Sequence, residues 1–176
     1  MIFCKRPFLI LNFSFLIILL LNSCTVFRYS FREGQIPPEI QTISIKNFLN
    51  EAGGGPPNLS QLFSEKLRTY YQQNTNLIIV RDQADWVLEG RIIAYNVVPV
   101  APQQNETAGS NRLVMNVSVK FTNNVNKTPA SFEANFASPP ADFPQNRSLT
   151  EVEAQLIDQI TDQIVLDIFT RTTSTW

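Results

Sequence analysis

The sequence contains no histidine and only two cysteines, Cys4 and Cys24. Without histidine the chain cannot build a Ser-His-Asp triad, most zinc sites or the usual general base near neutral pH. Cys4 lies in a segment that we expect to be removed, so no pair of thiols remains for a disulfide. The folded chain must therefore be stabilised by a packed apolar core.

Paired carboxylates and a glycine run are the remaining candidates for catalysis or ligand binding. Asp82 and Asp85 flank a predicted turn, where aspartate is common. Glu151 and Glu153 stand at a predicted helix start, where acidic residues favour the helix dipole. The run Gly53–Gly55 lacks the lysine of a phosphate loop and indicates a flexible connection. We expect no cofactor and no metal site, and we predict that the protein is not an enzyme.

Long apolar runs are also scarce, and the clear case is Phe8 to Leu21, close to the N-terminus. Its length fits the apolar region of a secretory signal, about 7–15 residues, and falls short of the roughly 20 needed to span a bilayer. Lys5 and Arg6 supply the basic start that such signals have. An ordinary signal peptide and an uncleaved anchor are both alternatives at this point.

The apolar run ends in Leu21-Asn22-Ser23-Cys24, which resembles a bacterial lipobox. In that signal the cysteine is diacylated and becomes the first residue of the mature chain. We predict a lipoprotein signal peptide over residues 1–23, a lipid on Cys24 and a tether over residues 24–39. Two acyl chains hold a protein stably on a membrane, whereas one does so only marginally.

Removal of the signal peptide leaves little net charge. The 14 basic residues become 12 against 15 acidic ones, a net charge of −3. A chain with this balance has no basic field for nucleic acid, so none is expected as a partner. Thr25 follows Cys24, where sorting signals for the inner membrane carry aspartate. By resemblance to those signals, we expect the periplasmic leaflet of the outer membrane.

Residues 40–176 are predicted to form one domain. Alternation of apolar and polar residues, or a short apolar run, predicts five strands. A bulge is expected at Gly90. Breaker residues predict irregular connections at 50–57, 99–110 and 138–146. The predicted strands are Gln41–Phe48, Leu77–Val80, Trp86–Val98, Asn111–Asn123 and Phe132–Phe136.

Two amphipathic helices are predicted, the first from Asn58 and the second from Ser148. Gln61 and Glu151 stand three residues after these starts, as in a capping box. The order of elements predicts an α+β two-layer sandwich. In this fold two helices pack on one face of a mixed, mostly antiparallel sheet of four to five strands. The other face of the sheet is expected to be wet.

The chain resembles the LPS-assembly lipoprotein family LptE in a divergent form. The resemblance covers nearly all of the predicted mature chain, although no single motif is decisive. The Ala84-Asp85 step before the long strand also occurs in other periplasmic lipoproteins, including transporter auxiliaries. The matching pieces are the lipobox cysteine, Tyr29–Phe31, Ile36–Ile45, Leu59–Gln61, Leu88–Ile92, Asn111–Leu113, Asp167–Phe169 and the terminal Trp176.

This resemblance implies a non-catalytic partner of the LptD outer-membrane barrel. LptE proteins sit in that barrel as a plug, help it to fold and have been linked to binding lipopolysaccharide. A plug needs a polar surface because barrel lumens are polar. Phosphates on lipopolysaccharide favour Arg and Lys, so the candidate contacts are Arg91, Arg112 and Lys120.

Three other functions stay open from the sequence. The first is an auxiliary periplasmic lipoprotein of an ABC-type lipid transporter, which would accompany an inner-membrane ATPase. The second is a ligand-binding module, which would need a cavity between helices and sheet; the many Leu, Ile and Phe residues indicate a filled core instead. An enzyme is the most distant alternative.

Overall fold

The structure is a computed structural model that describes residues 36–101, 109–125 and 129–174, all within one compact unit, Arg32–Trp176. The predicted signal peptide, Cys24 and most of the predicted tether lie outside the described residues. Those residues form β1 Thr42–Ile45, β2 Leu49–Asn50, α1 Leu59–Asn74, β3 Ile78–Ile79, β4 Trp86–Val100, β5 Ser110–Asn123, β6 Phe132–Ala137, β7 Ala141–Pro144 and α2 Leu149–Thr173.

The strands form one mixed sheet in the order β3-β1-β4-β5-β6. β1 lies parallel to both β3 and β4, whereas β5 is antiparallel to β4 and β6. β2 continues the position of β1 along β4, and β7 continues the position of β6 along β5. The predicted α+β fold is confirmed, but the sheet has seven strands where four to five were expected. Two of its five positions are shared by two short strands each.

Both helices cover the inner face of the sheet. The inner side of β5 carries five completely buried side chains, Leu113, Met115, Val117, Val119 and Phe121. The two helices run side by side in the same direction, because early residues of α1 meet early residues of α2 and late residues meet late ones. Tyr71, near the end of α1, hydrogen-bonds Thr172 near the end of α2.

A bulge in β4 falls at Ile93 and not at Gly90 as predicted. Ile92 pairs with Val117 and Ala94 with Asn116, so Ile93 is the extra residue. The bulge reverses the alternation beyond it. Tyr95 therefore points into the core, although its place in the sequence pattern put it on the wet face.

Gly90 stays in register opposite Val119 on the inner face. A Cβ at this position would overlap the ring of Phe48 and the carbonyl oxygen of Ser118. Phe48 is fully buried and packs edge-on against Phe63 of α1, with ring centroids 5.0 Å apart. The glycine is therefore required by a close approach of another side chain, which the local pattern does not reveal.

Neither predicted capping box forms. The side chains of Asn58 and Ser148 make no cap hydrogen bond at the helix starts. Gln61 instead donates to Glu65 one turn later, and Glu151 pairs with Arg147. Both residues thus make side-chain contacts four positions away and not the contacts of a capping box.

Two of the predicted irregular connections are structured. Residues 138–146 contain β7, in which Ala141 and Phe143 are buried and alternate with exposed residues. The glycine run is a defined turn with positive φ at Gly53 and Gly55, and the Asn50 side chain donates to the Gly54 carbonyl oxygen. Proline and glycine at these places shape short turns at the sheet margin.

Candidate functional site

The outer face of the sheet, opposite the helices, carries rows of charged side chains. Glu89 of β4 lies directly opposite Lys120 of β5, and Lys120 lies opposite Glu133 of β6. Side chains directly opposite each other on a sheet are close enough to interact. The pairing register thus places one cation between two carboxylates.

Arg91 and Lys120, two of the predicted lipopolysaccharide contacts, are brought close together on this face. The Lys120 ammonium donates to Glu89 Oε1 at 2.9 Å, which raises the pKa of Lys120 above its ordinary value. Arg91 Nε lies 3.6 Å from Glu51 Oε2. Both cations are half exposed and each faces a carboxylate of this chain.

Arg112, the third predicted contact, lies apart from the other two. It stands eight positions before Lys120 on β5, roughly 27 Å away at about 3.4 Å per residue. Its guanidinium makes two hydrogen bonds to the Asp142 carboxylate of β7, at 2.6 and 2.9 Å. The pair raises the pKa of Arg112 and lowers the pKa of Asp142. Arg112 therefore cannot join the same contact patch as Arg91.

A shallow groove of about 300 Å³ follows the outer face, and we call it the outer-face groove. Its charged lining consists of three cations and three carboxylates, so its charge is balanced. Such a surface can exchange its ion pairs for pairs with a polar partner. The lining residues are Lys46, Asn47, Leu49, Glu51, Glu89, Gly90, Arg91, Ser118, Lys120 and Glu133.

A second groove, of about 600 Å³, lies at the margin of the sheet where β1, β3 and α1 meet, and we call it the edge groove. Three cations and one carboxylate line it. No local motif marks this site in the sequence, since its residues are up to 37 positions apart. Its lining residues are Ile45, Lys46, Asn47, Arg68, Ile79, Val80, Arg81 and Asp82.

Hydrogen bonds fix two of the cations in the edge groove. Arg68 of α1 donates through Nε and Nη2 to the carbonyl oxygen of Ile45, at 3.3 and 3.0 Å, and also to Asn47 Oδ1. Lys46 donates to the Arg81 carbonyl oxygen at 2.7 Å and to Asp82 Oδ1 at 2.6 Å. The second contact lowers the pKa of Asp82.

A third groove, of about 760 Å³, runs between the two helices. Lys66 of α1 crosses its floor and reaches Asp158 and Asp162 of α2, with Nζ–Oδ1 distances of 2.6 and 2.8 Å. Burial lowers the pKa of Lys66, but the hydrogen bonds to the two aspartates outweigh this effect, so the pKa is raised. These contacts tie the helices together.

Asp85, one of the carboxylates considered above, has a structural role. Its Oδ2 accepts hydrogen bonds from the amides of Gln41 and Thr42, each at 2.9 Å, and from the Thr42 hydroxyl at 2.8 Å. The Thr42 hydroxyl oxygen in turn accepts from the Asp85 amide. Hydrogen bonds from Gln41 and then Thr42 lower the pKa of Asp85. The Ala84-Asp85 step thus fastens the start of β4 to the start of β1.

Neither the predicted anchor nor a metal site can be located in this structure. Cys24 lies outside the described residues. Among the residues that are described, no group of three or more Cys, Asp or Glu side chains is placed to hold a metal ion. Within the same residues, neither helix combines the length and hydrophobicity that crossing a membrane requires.

Comparisons with known proteins add a family and a fold. The model of the family LptE, described as lipopolysaccharide-assembly, matches residues 40–172. No curated protein matches the chain. Among solved structures, a protein from Xanthomonas campestris is similar with a TM-score of 0.52 at 8% identity, covering 77% of this chain and 87% of its own. A neuraminyllactose-binding hemagglutinin homolog from Helicobacter pylori has a TM-score of 0.51 at 9% identity, covering 81% and 90%. At these identities the two structures show a shared fold alone.

Proposed function

The chain belongs to the lipopolysaccharide-assembly LptE family, a non-enzymatic lipoprotein family, and from this we propose that it serves an LptD-type outer-membrane barrel. In this proposal it is anchored by a lipid on Cys24 in the periplasmic leaflet of the outer membrane. It acts there as plug and assembly partner while the barrel inserts lipopolysaccharide. The observation that carries the proposal is the family match, which spans every strand and nearly all of both helices.

The outer face of the sheet supports the plug role. Barrel lumens are polar, so a domain seated in one needs polar groups that can meet the wall. The outer-face groove offers Arg91, Lys120, Glu89 and Glu133 in alternating charge. Exposed ion pairs contribute little to folding stability, about 0–1 kcal/mol each. They can therefore be exchanged for pairs with a partner without unfolding the domain.

Lipopolysaccharide contact is proposed through Arg91 and Lys120, with Arg112 as a separate contact. A phosphate would compete with Glu51, Glu89 and Asp142 for these three cations. Charge-assisted hydrogen bonds from Arg or Lys to phosphate are as strong as those to carboxylate. The exchange is most favourable for Arg91, whose distance to Glu51 is the longest of the three.

Purification of the tagged chain from detergent-solubilised outer membranes tests the partnership. We expect a large barrel protein to accompany the wild-type chain in stoichiometric amounts. Cys24→Ala should reduce the membrane-bound fraction and the recovered barrel together. Recovery of an inner-membrane ATPase complex in place of a barrel would favour the lipid-transporter alternative. Unchanged membrane attachment of Cys24→Ala would contradict the lipid anchor.

A further inference from the structure

The edge groove differs from the outer-face groove in the balance of its charges. Lys46, Arg68 and Arg81 face one carboxylate, Asp82, which leaves a net charge of +2. Among the described residues, Arg81 forms no ion pair within 4.0 Å, and its charge acts on Asp82 only from farther away. Within the described part of the chain, the groove therefore carries more positive charge than its one carboxylate neutralises.

Arg68 is held in place by neutral oxygens alone. Its partners are the Ile45 carbonyl oxygen and the Asn47 side-chain oxygen. β3 ends at Ile79, so Ile45 pairs with β4 on one side and has no strand partner on the β3 side. Neutral acceptors fix the orientation of a guanidinium but leave its charge uncompensated. Nε and Nη2 are used for these contacts, so among the described residues the Nη1 hydrogens are left to donate to a phosphate oxygen.

Apolar side chains border the same groove. Ile45, Ile79 and Val80 line it directly. A free phosphate makes no use of an apolar wall, whereas a lipid headgroup brings a glycerol or acyl chain that buries it. The combination of fixed cations and an apolar border favours a lipid.

We propose that the edge groove binds a phosphomonoester on a lipid, with Arg68 and Arg81 contacting the phosphate oxygens and Lys46 closing the site. Inorganic phosphate and phosphorylated lipids both carry the phosphate group that this site would bind. The apolar border favours the lipid. The site shares Lys46 and Asn47 with the outer-face groove but uses none of Arg91, Arg112 and Lys120. This proposal rests on the proposed function in one respect, which is that an outer-membrane location supplies phosphorylated lipid.

Calorimetric titration of the detergent-solubilised full chain tests this site. The probes are short-chain phosphatidic acid, short-chain phosphatidylcholine and inorganic phosphate. We expect phosphatidic acid to bind and phosphatidylcholine not to bind. Arg81→Gln should weaken phosphatidic acid binding about tenfold, as expected for the loss of one charge-assisted hydrogen bond. Arg81 is exposed and its side chain makes no ion pair with the described residues, so this variant should unfold at the wild-type temperature.

Two further variants control for folding and for charge. Arg68→Gln should also weaken binding, and a thermal unfolding curve separates this effect from loss of the Ile45 contact. Arg147→Gln removes the same charge just before α2, outside the groove, and should bind as the wild type does. Equal weakening by Arg147→Gln, or wild-type affinity in both Arg81→Gln and Arg68→Gln, would overturn the proposal.

The remaining outcomes identify the source of the phosphate and separate the two proposals. If inorganic phosphate binds as tightly as phosphatidic acid, the groove is a phosphate site and the lipid part of the proposal is contradicted. Arg81→Gln should still recover the barrel in the purification described above. If the wild-type chain recovers no barrel but binds phosphatidic acid through Arg81, the edge groove stands and the proposed function fails.

Discussion

The aromatic ring of Phe48 occupies the space that a side chain at position 90 would need. Gly90 lies on the inner face of β4, and a Cβ there would overlap that ring and the carbonyl oxygen of Ser118. Phe48 is in turn fixed from the other side, because its amide donates to Ser64 of α1 at 2.9 Å. One glycine thus allows the chain between β1 and β2 to be inserted between sheet and helix.

Gly90→Ala should therefore destabilise the fold. Overpacking of a filled core has a typical effect of about 1–3 kcal/mol, and the overlap with backbone places this substitution near the upper end. Urea unfolding followed by circular dichroism measures the change. Gly53→Ala serves as the comparison: its Cβ would meet nothing within 4 Å, so only its positive φ of 71° is penalised, by about 1 kcal/mol. A smaller effect at Gly90 than at Gly53 would contradict the packing described above.

Asp85→Asn should weaken the attachment of β4 to β1. The neutral amide oxygen that takes the place of Oδ2 accepts weaker hydrogen bonds from Gln41 and Thr42 than the charged carboxylate does. We expect a loss of about 1–2 kcal/mol in urea unfolding. Asp82→Asn is the matched control, because the Asp82 side chain is highly exposed and its ion pair is with Lys46, on the surface. Its effect should be clearly smaller. Equal effects of the two substitutions would show that the hydrogen bonds to Asp85 do not contribute to the free energy of unfolding.

Stability should fall at acidic pH through Asp85. Its pKa is lowered in the folded protein by the hydrogen bonds from Gln41 and Thr42. The resulting stabilisation is complete above the unfolded pKa of about 3.9 and is lost as the pH falls below it. The free energy of unfolding of wild type and Asp85→Asn, measured from neutral pH downward, should therefore converge below about pH 4. A constant difference across that range would contradict the assignment.

The buried hydrogen bond between Tyr71 and Thr172 should respond unequally to removal of either partner. Burial raises the pKa of Tyr71, which therefore stays protonated and neutral. In Tyr71→Phe the Thr172 hydroxyl keeps its bond to the Phe169 carbonyl oxygen, so a loss of about 0.5–1.5 kcal/mol is expected. Thr172→Val leaves the buried tyrosine hydroxyl unsatisfied, which raises the loss to about 1–3 kcal/mol. Thermal and urea unfolding compare the two; the opposite order would contradict this geometry.

Lipopolysaccharide binding should weaken when the outer-face cations are reversed in charge and strengthen when a carboxylate that competes for them is removed. The double variant Arg91→Glu/Lys120→Glu should weaken binding in vitro. Glu89→Gln removes one of the two carboxylates beside Lys120, the other being Glu133. It should strengthen binding a few-fold, in line with the energy of an exposed pair. Arg112→Glu acts roughly 27 Å away, so its effect should add independently to that of the double variant. Unchanged affinity in all of these variants would remove the outer face as a binding surface.

The sequence predicted the long elements well because their signals are local. Alternation along β5 and the apolar stripe of α2 record which side of each element is buried, and burial is what the core imposes on the residue pattern. The same local signal failed at β4 after Ile92. One inserted residue reverses the alternation there. The local sequence carries no signal that tells whether Tyr95 faces the core or the solvent.

The sequence by itself determined that the chain has no histidine. Its residue pattern also determined two helices and a sheet with one apolar face, and hence an α+β domain. The tertiary structure alone decided which charges meet. It paired Arg91, Arg112 and Lys120 with carboxylates. Among the described residues it gave Arg68 and Arg81 no such pair, although the sequence pattern treats all five positions alike. The physical reason is that an ion pair depends on strand register and helix packing, which bring together residues tens of positions apart, whereas periodicity reports only on neighbours along the chain.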